Sequence, residues 1–202
     1  MLSKIVAATK FRFRRLGCWP LHRKLARELK DWDACGGVIY SNNCIAGILY
    51  ENARLQKASP TVGLFFSGPS FVRFLSDLWE GRSQSWSGLR PEDMQHNAAR
   101  NCPELAVPGG GSVIFLHYPD ASEAAAKWNR RFARSLGRNA LVIVSLRDGL
   151  ESEMLAPVLN RFGTELLVEN GAPAADELFY ERHFLRRLSD HLATHLAARR
   201  TV

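Results

Sequence analysis

No run of this sequence approaches the eighteen or so consecutive apolar residues that a membrane-spanning helix needs, so such a helix is excluded on length. No export signal is expected at the basic start, because "KIVAAT" is too short and too polar for the apolar core of a leader. Cysteine is scarce. Cys18, Cys35, Cys44 and Cys102 form no CxxC pair and no zinc-like spacing, so neither a disulfide framework nor a structural zinc is expected. Reduced thiols and a cytoplasmic location are the expectation. No GxGxxG follows the first expected strand, and the "GGG" at 109–111 precedes a strand where a phosphate loop would follow one. No cofactor is therefore expected. His191 and His195 stand one helical turn apart without a third ligand nearby, so no metal is expected either. Internal repeats and low-complexity linkers are missing too. What remains is 202 residues, 46% apolar and 23% charged, enough for one domain to bury its core without staples.

The net charge of +7 has an address. Residues 1–31 hold nine basic residues against Glu28 and Asp31, and the rest of the chain is balanced. The segment "MLSKIVAATKFRFRRLGCWPLHRKLARELKDW" predicts two short helices broken near Gly17, with Pro20 at the first position of the second. Leu21, Leu25, Leu29 and Trp32 share one stripe, while Arg23, Lys24, Arg27 and Lys30 lie off it. Such a helix either packs on the domain with a solvated basic face or rests on an anionic membrane surface, and packing is the commoner outcome. Nucleic acid is not expected as a partner, since no recognition motif accompanies the charge.

Continuously apolar runs, "GVIYS" (37–41), "TVGLFF" (61–66), "SVIFLH" (112–117), "ALVIVSL" (140–146) and "TELLVEN" (164–170), alternate with helical patterns. Phe71, Phe74, Leu75, Leu78 and Trp79 form one face, and Asp120 to Glu123 reads as a capping box. A last helix from about Asp176 turns Leu178, Leu185, Leu188, Leu192 and Leu196 inward. The pattern predicts an α/β, Rossmann-like fold: a mostly parallel sheet of about five strands flanked by helices. The expected division is a basic helical extension over 1–35 and a single α/β domain over 36–202. Residues 81–111 read as one irregular segment with a short helix near 92–100, of a length often found in functional loops.

Ligands bind outside the carboxyl ends of parallel strands, and each expected strand ends in reactive or polar groups. Ser41, Asn42, Asn43 and Cys44 follow the first, His117 and Tyr118 the third, Arg147 and Asp148 the fourth. A thiol at a helix N-terminus sits at the positive end of the dipole, which favours a thiolate and also favours a bound phosphate or carboxylate. Cys44, His117 and Asp148 would make a nucleophile, base and orienter set. The plainer alternative is an Asn cap followed by a buried cysteine, with a structural histidine. In the helix after His117, Lys127, Arg131, Arg134 and Arg138 form a basic stripe, either a solvated face or a contact for an acidic substrate.

The stretches "IYSNNCIAGILYENARLQKASPTVGLFFSGPSFVRFLSDL", "VIFLHYPDASEAAAKWNRRFAR" and "NALVIVSLRDG" resemble the bacterial family catalogued as domain of unknown function nineteen-nineteen, over roughly residues 36–168. Its members are often labelled exopolysaccharide or capsule biosynthesis proteins. Through the motifs SNNC, SPTVGLFF, FLHY with KWNRR, and RDG, the resemblance points to Asn42, Asn43, Cys44, Pro60, Thr61, His117, Tyr118, Trp128, Asn129, Arg130, Arg131 and Asp148. Two departures stand out: Ile45-Ala46-Gly47 replaces an aromatic followed by a diglycine, and "LAVPGGG" replaces a tyrosine-proline turn. The resemblance implies an α/β domain and a link to surface polysaccharide assembly; the leading expectation built on it is a transferase-like enzyme that joins an activated sugar or acyl donor to a carbohydrate acceptor, free or lipid-linked. In that reading Ser41, Asn42, Asn43, Tyr118, Arg131 and Arg147 bind substrate. The rivals are a Cys44–His117 acyl transferase or hydrolase, and a non-catalytic adaptor held at the inner face of the plasma membrane through residues 1–31.

Overall fold

The computed structural model describes residues 2–159, 165–168 and 179–200. It opens with one continuous helix, α1 (Leu2–Ala34), where two helices broken near Gly17 were expected. Pro20 lies inside it, and the C-terminal part of the chain bonds the turns on either side of the proline. Arg182 donates to the Gly17 carbonyl, Cys18 donates to that of Tyr180, and His22 bonds that of Phe179 while stacking on its ring. Leu25, Leu29 and Trp32 are buried, whereas Arg23, Lys24, Arg27 and Lys30 face solvent. The apolar stripe of this helix therefore packs into the core.

Gly36 turns the chain, at φ +72°, into β1 (Gly37–Ser41), which is buried throughout. β1 leads to α2 (Ile45–Ala53) and pairs in parallel with β6 (Asn139–Ser145), which pairs in parallel with β7 (Glu165–Val168). A second sheet is antiparallel. Its strands are β2 (Phe65–Ser67), β5 (Ser112–Ile114), β4 (Cys102–Ala106) and β3 (Gln95–Asn97), in that spatial order. The remaining helices are α3 (Ser70–Trp79), α4 (Ala121–Ser135), α5 (Ser152–Leu159) and α6 (Arg182–Arg200).

The fold is thus mixed α/β with two separate sheets, which overturns the single five-stranded, mostly parallel, Rossmann-like sheet. The apolar runs misled for a physical reason. Phe66 and Val113 point into the main core, while Phe65, Cys102 and Ile114 form a second cluster on the opposite face, with Arg100 lying 4.6 Å over the Phe65 ring. A short antiparallel strand buried on both faces carries the unbroken apolar pattern expected of a parallel one. The second and third expected strands are also truncated. Gly63, at φ +81°, turns residues 59–63 out of the sheet, and β5 gives way after Ile114 to a turn closed by Tyr118 N–H on Phe115 O. The last expected strand is seen as 165–168, with 169 and 170 outside the described residues.

Residues 81–111 are more regular than expected, with two 3-10 turns, β3 and β4, and no helix over 92–100. Nor is the segment loose. The carboxylate of Asp77, 2% exposed, accepts from Arg73 Nε at 2.8 Å, Arg82 Nε at 2.9 Å and Trp86 Nε1 at 2.9 Å. The Asn129 amide brackets both backbone groups of Leu89, and Trp128 Nε1 donates to Trp86 O. Trp79, expected to face inward, is 49% exposed. In α4, Asp120 caps the Glu123 N–H as the sequence indicates. In α6, Leu185, Leu188, Leu192 and Leu196 are buried, while 176–178 lie outside the described residues.

Burial raises the pKa of Asp77, but the three donors outweigh it and hold the carboxyl below its usual value. Its contribution to stability is therefore present above about pH 4, the unfolded value, and is lost as pH falls through the lower folded value. Asp77→Asn is expected to cost about 1–2 kcal/mol at neutral pH, allowing for screening of the half-exposed arginines. In urea unfolding series at several pH values, that difference from the parent should shrink as pH falls through the lowered folded value.

Candidate active site

The junction between β1 and α2 is built by its own polar side chains. Ser41 Oγ donates to Asn43 O at 2.6 Å and accepts the Ala46 N–H, while Asn43 Oδ1 accepts the Ile45 N–H. The Asn42 amide pairs with both backbone groups of Ser145, at 2.8 and 2.9 Å, extending the β1–β6 ladder by one side-chain rung. Its own carbonyl accepts from Phe66 N–H. Ser41 and Asn42, candidates for substrate binding, are 0% and 3% exposed and serve the backbone instead.

Cys44 follows them at the N-cap of the nine-residue α2, half-buried. Its Sγ lies 3.5 Å from Nε2 of His117 and 3.8 Å from the Leu64 carbonyl. Two residues 73 positions apart, chosen on their expected strand ends, are in contact. His117 is held by its N–H on Gly63 O, at 3.1 Å. Gly63 is needed here: its φ is positive, and a Cβ would stand 3.3 Å from the Tyr118 ring and 3.6 Å from His117 Cβ.

Tyr118 supports this turn from beneath. Its hydroxyl donates to Val62 O at 2.6 Å, and Arg131 Nη1 donates both to that carbonyl, at 3.0 Å, and to the Tyr118 oxygen, at 2.5 Å. Burial pushes the phenol's pKa up, against the opposing pull of Arg131. Thr61 Oγ1, buried with Pro60, accepts the Ser41 N–H and so ties this turn to the β1 end. Sequence reasoning missed Gly63 and the carbonyls of Val62 and Leu64. The "PTVG" turn signal was there, hidden in a run read as a strand.

Asp148 stands elsewhere. It is exposed, in the left-handed region at φ 57°, and its carboxylate lies 3.4 Å from Arg147 Nε. Its carbonyl accepts the Gly68 N–H. No hydrogen bond joins it to His117 among the described residues, so Cys44 and His117 form a pair rather than a triad. Arg147 shares that exposed loop. In the basic stripe of α4, Arg131 is buried rather than solvated, Lys127 pairs with Glu123, Arg138 pairs with Asp33, and Arg134 is exposed. No group of three or more metal-ligating side chains occurs among the described residues.

The family model described as "Domain of unknown function (DUF1919)" matches residues 20–161. The chain belongs to this family. It is also similar to an uncharacterized protein of Haemophilus influenzae (strain Rd), 25% identical over 130 residues, which cover 64% of this chain and 58% of that relative. The similarity thus spans less than two thirds of the relative's length. The matched DUF1919 region contains Cys44, His117 and their braces, and also the second half of α1.

Asn42→Ala is expected to leave two buried backbone groups of Ser145 unbonded, at about 1–3 kcal/mol each, and to lower the urea midpoint accordingly. Asp148→Asn should change the rate of Cys44 alkylation by iodoacetamide less than about twofold, because its exposed carboxylate pairs with Arg147 and does not bond His117. Peptide mass spectrometry of timed samples reads the second.

Proposed function

We propose that the protein is a thiol-dependent acyl transferase in which Cys44 is the nucleophile and His117 the general base. The carrying observation is the 3.5 Å contact of Cys44 Sγ with His117 Nε2 at the start of α2. With its other ring nitrogen protonated, His117 takes the Cys44 proton at Nε2 as the sulfur attacks the carbonyl of an acyl donor. The tetrahedral intermediate collapses to a thioester, and the leaving group departs with the proton from His117. An acceptor hydroxyl then gives its proton to His117 and attacks the thioester, which releases the ester and returns the thiol. The positive end of α2 favours the negative charge that develops beside the sulfur.

The resemblance to proteins labelled for exopolysaccharide and capsule biosynthesis supports a carbohydrate hydroxyl as the acceptor, with water as the acceptor in a hydrolase. A cytoplasmic protein resting its basic α1 face on anionic headgroups would meet a lipid-linked glycan there. No described helix is long and apolar enough to cross a membrane. A second reading, sugar transfer from an activated donor, is favoured by the helix N-terminus alone, since it would suit a donor phosphate. There His117 serves as base and the sulfur is dispensable.

With p-nitrophenyl acetate as probe, a burst of nitrophenolate and an acetyl adduct on Cys44 are expected. Cys44→Ala should abolish both, and His117→Ala should slow acylation about 10²–10⁴-fold. A burst that survives Cys44→Ala, or an adduct on another residue, would sink the thiol mechanism.

A further inference from the structure

Arg131 is 9% exposed, and no carboxylate pairs with it among the described residues. That is costly for a cation. What compensation it has comes from neutral oxygens and from solvent at its open edge, and an anion there would gain a charge-assisted pair. Its recorded hydrogen bonds are two, both from Nη1 and both to neutral oxygens, the Val62 carbonyl and the Tyr118 hydroxyl. The other guanidinium nitrogens, Nε and Nη2, bond no group among the described residues and are not sealed from solvent. A guanidinium anchored by one corner leaves a planar edge of the kind that receives two oxygens of a carboxylate or phosphate.

The position of this cation adds the second observation. Arg131 Nη1 is held on the Val62 carbonyl and Cys44 Sγ sits on the Leu64 carbonyl, two residues on, at most about 7 Å apart along the chain. Between them His117 bonds Gly63. Lys127 lies over the opposite part of the same structure, 5.6 Å from the centre of the Tyr118 ring, and Glu123 already neutralises it. The local balance of Arg131, Lys127 and Glu123 is therefore positive, and the N-terminus of α2 adds to it. Nothing in the proposed acyl chemistry uses this cation.

We infer that Arg131 is the anchor of an anion subsite beside Cys44, so that the acyl donor carries a carboxylate or phosphoryl group a few bonds from its reactive carbonyl. This rests on the Cys44–His117 reading and names the class of substrate it takes. Lys127 lends long-range charge to the subsite, and Tyr118 positions Arg131 without touching the donor.

Alkylation of Cys44 with a charged and a neutral reagent of the same shape tests this on the whole protein. Iodoacetate and iodoacetamide each lose iodide to the attacking thiolate and differ in the carboxylate alone. Cys35, exposed in the same chain, is the internal reference. The ratio of iodoacetate to iodoacetamide rates should be at least about tenfold higher at Cys44 than at Cys35, as one close cation in a partly dry site implies. Arg131→Gln should bring the ratio down to the Cys35 value, and Arg131→Lys should retain part of it. Lys127→Gln should lower it by a smaller factor.

Should Arg131→Gln fail to fold, inorganic phosphate and acetate serve on the parent protein. Either should slow the reaction of Cys44 but not of Cys35, and the stronger competitor identifies the anion as phosphoryl or carboxylate. Equal ratios at the two cysteines, or no protection by either anion, overturn the subsite. If iodoacetamide reacts briskly with Cys44 while the ratios match, only the subsite falls. If iodoacetamide reacts no faster at Cys44 than at Cys35, the nucleophile itself is lost and the subsite with it.

Discussion

The molecule turns on one side chain that behaves as backbone. Asn42 ends β1, and its amide pairs with the N–H and C=O of Ser145 as the next strand residue would. Its own carbonyl meanwhile receives Phe66 of β2. The parallel and antiparallel sheets therefore meet at one residue, which is 3% exposed. An amide suits this position because it offers a donor and an acceptor in a peptide-like plane, which a carboxylate cannot. The chain can then leave the sheet at once and begin α2 without stranding a buried polar group. Cys44 owes its place, two residues later, to that abrupt exit.

The histidine is delivered by a second rigid device. Residues 59–64 form a turn whose carbonyls serve three groups in succession: Val62 for Tyr118 and Arg131, Gly63 for His117, and Leu64 for Cys44. One short stretch of backbone thus sets the spacing between thiol, imidazole and guanidinium. The brace continues outward. Trp128 and Asn129, on the same helix as Arg131, hold the 86–89 segment by its main chain. With no carboxylate bonded to the imidazole among the described residues, the Cys44–His117 contact relies on such main-chain support for its geometry.

Most of the residues that draw attention in the motifs are scaffold. In SNNC, the serine and the first asparagine are consumed by backbone bonds and the second asparagine caps the helix, which leaves the sulfur for chemistry. In KWNRR, the tryptophan and first asparagine hold a loop and the last arginine points inward, with Arg130 left on the surface. RDG contributes a left-handed turn rather than an acid for His117.

The sequence by itself determined the local features: the helical stripe of Leu25, Leu29 and Trp32, the strand–turn–helix through Cys44, and the Asp120 cap. These depend on periodicity and on neighbours a few residues away. It also brought forward Cys44 and His117 by residue type at expected chain turns. Strand direction and sheet membership were decided only in three dimensions, because a strand covered on both faces has the same composition whichever way its partners run. The same limit applies to Arg131 and Asp148. One looked like a surface cation and is buried, the other looked like an orienting acid and faces solvent. Helical and loop spacing cannot tell which side of an element meets a turn some seventy residues distant: packing between α4 and residues 59–64 settled Arg131, and the exposed turn after β6, tied to Gly68, settled Asp148.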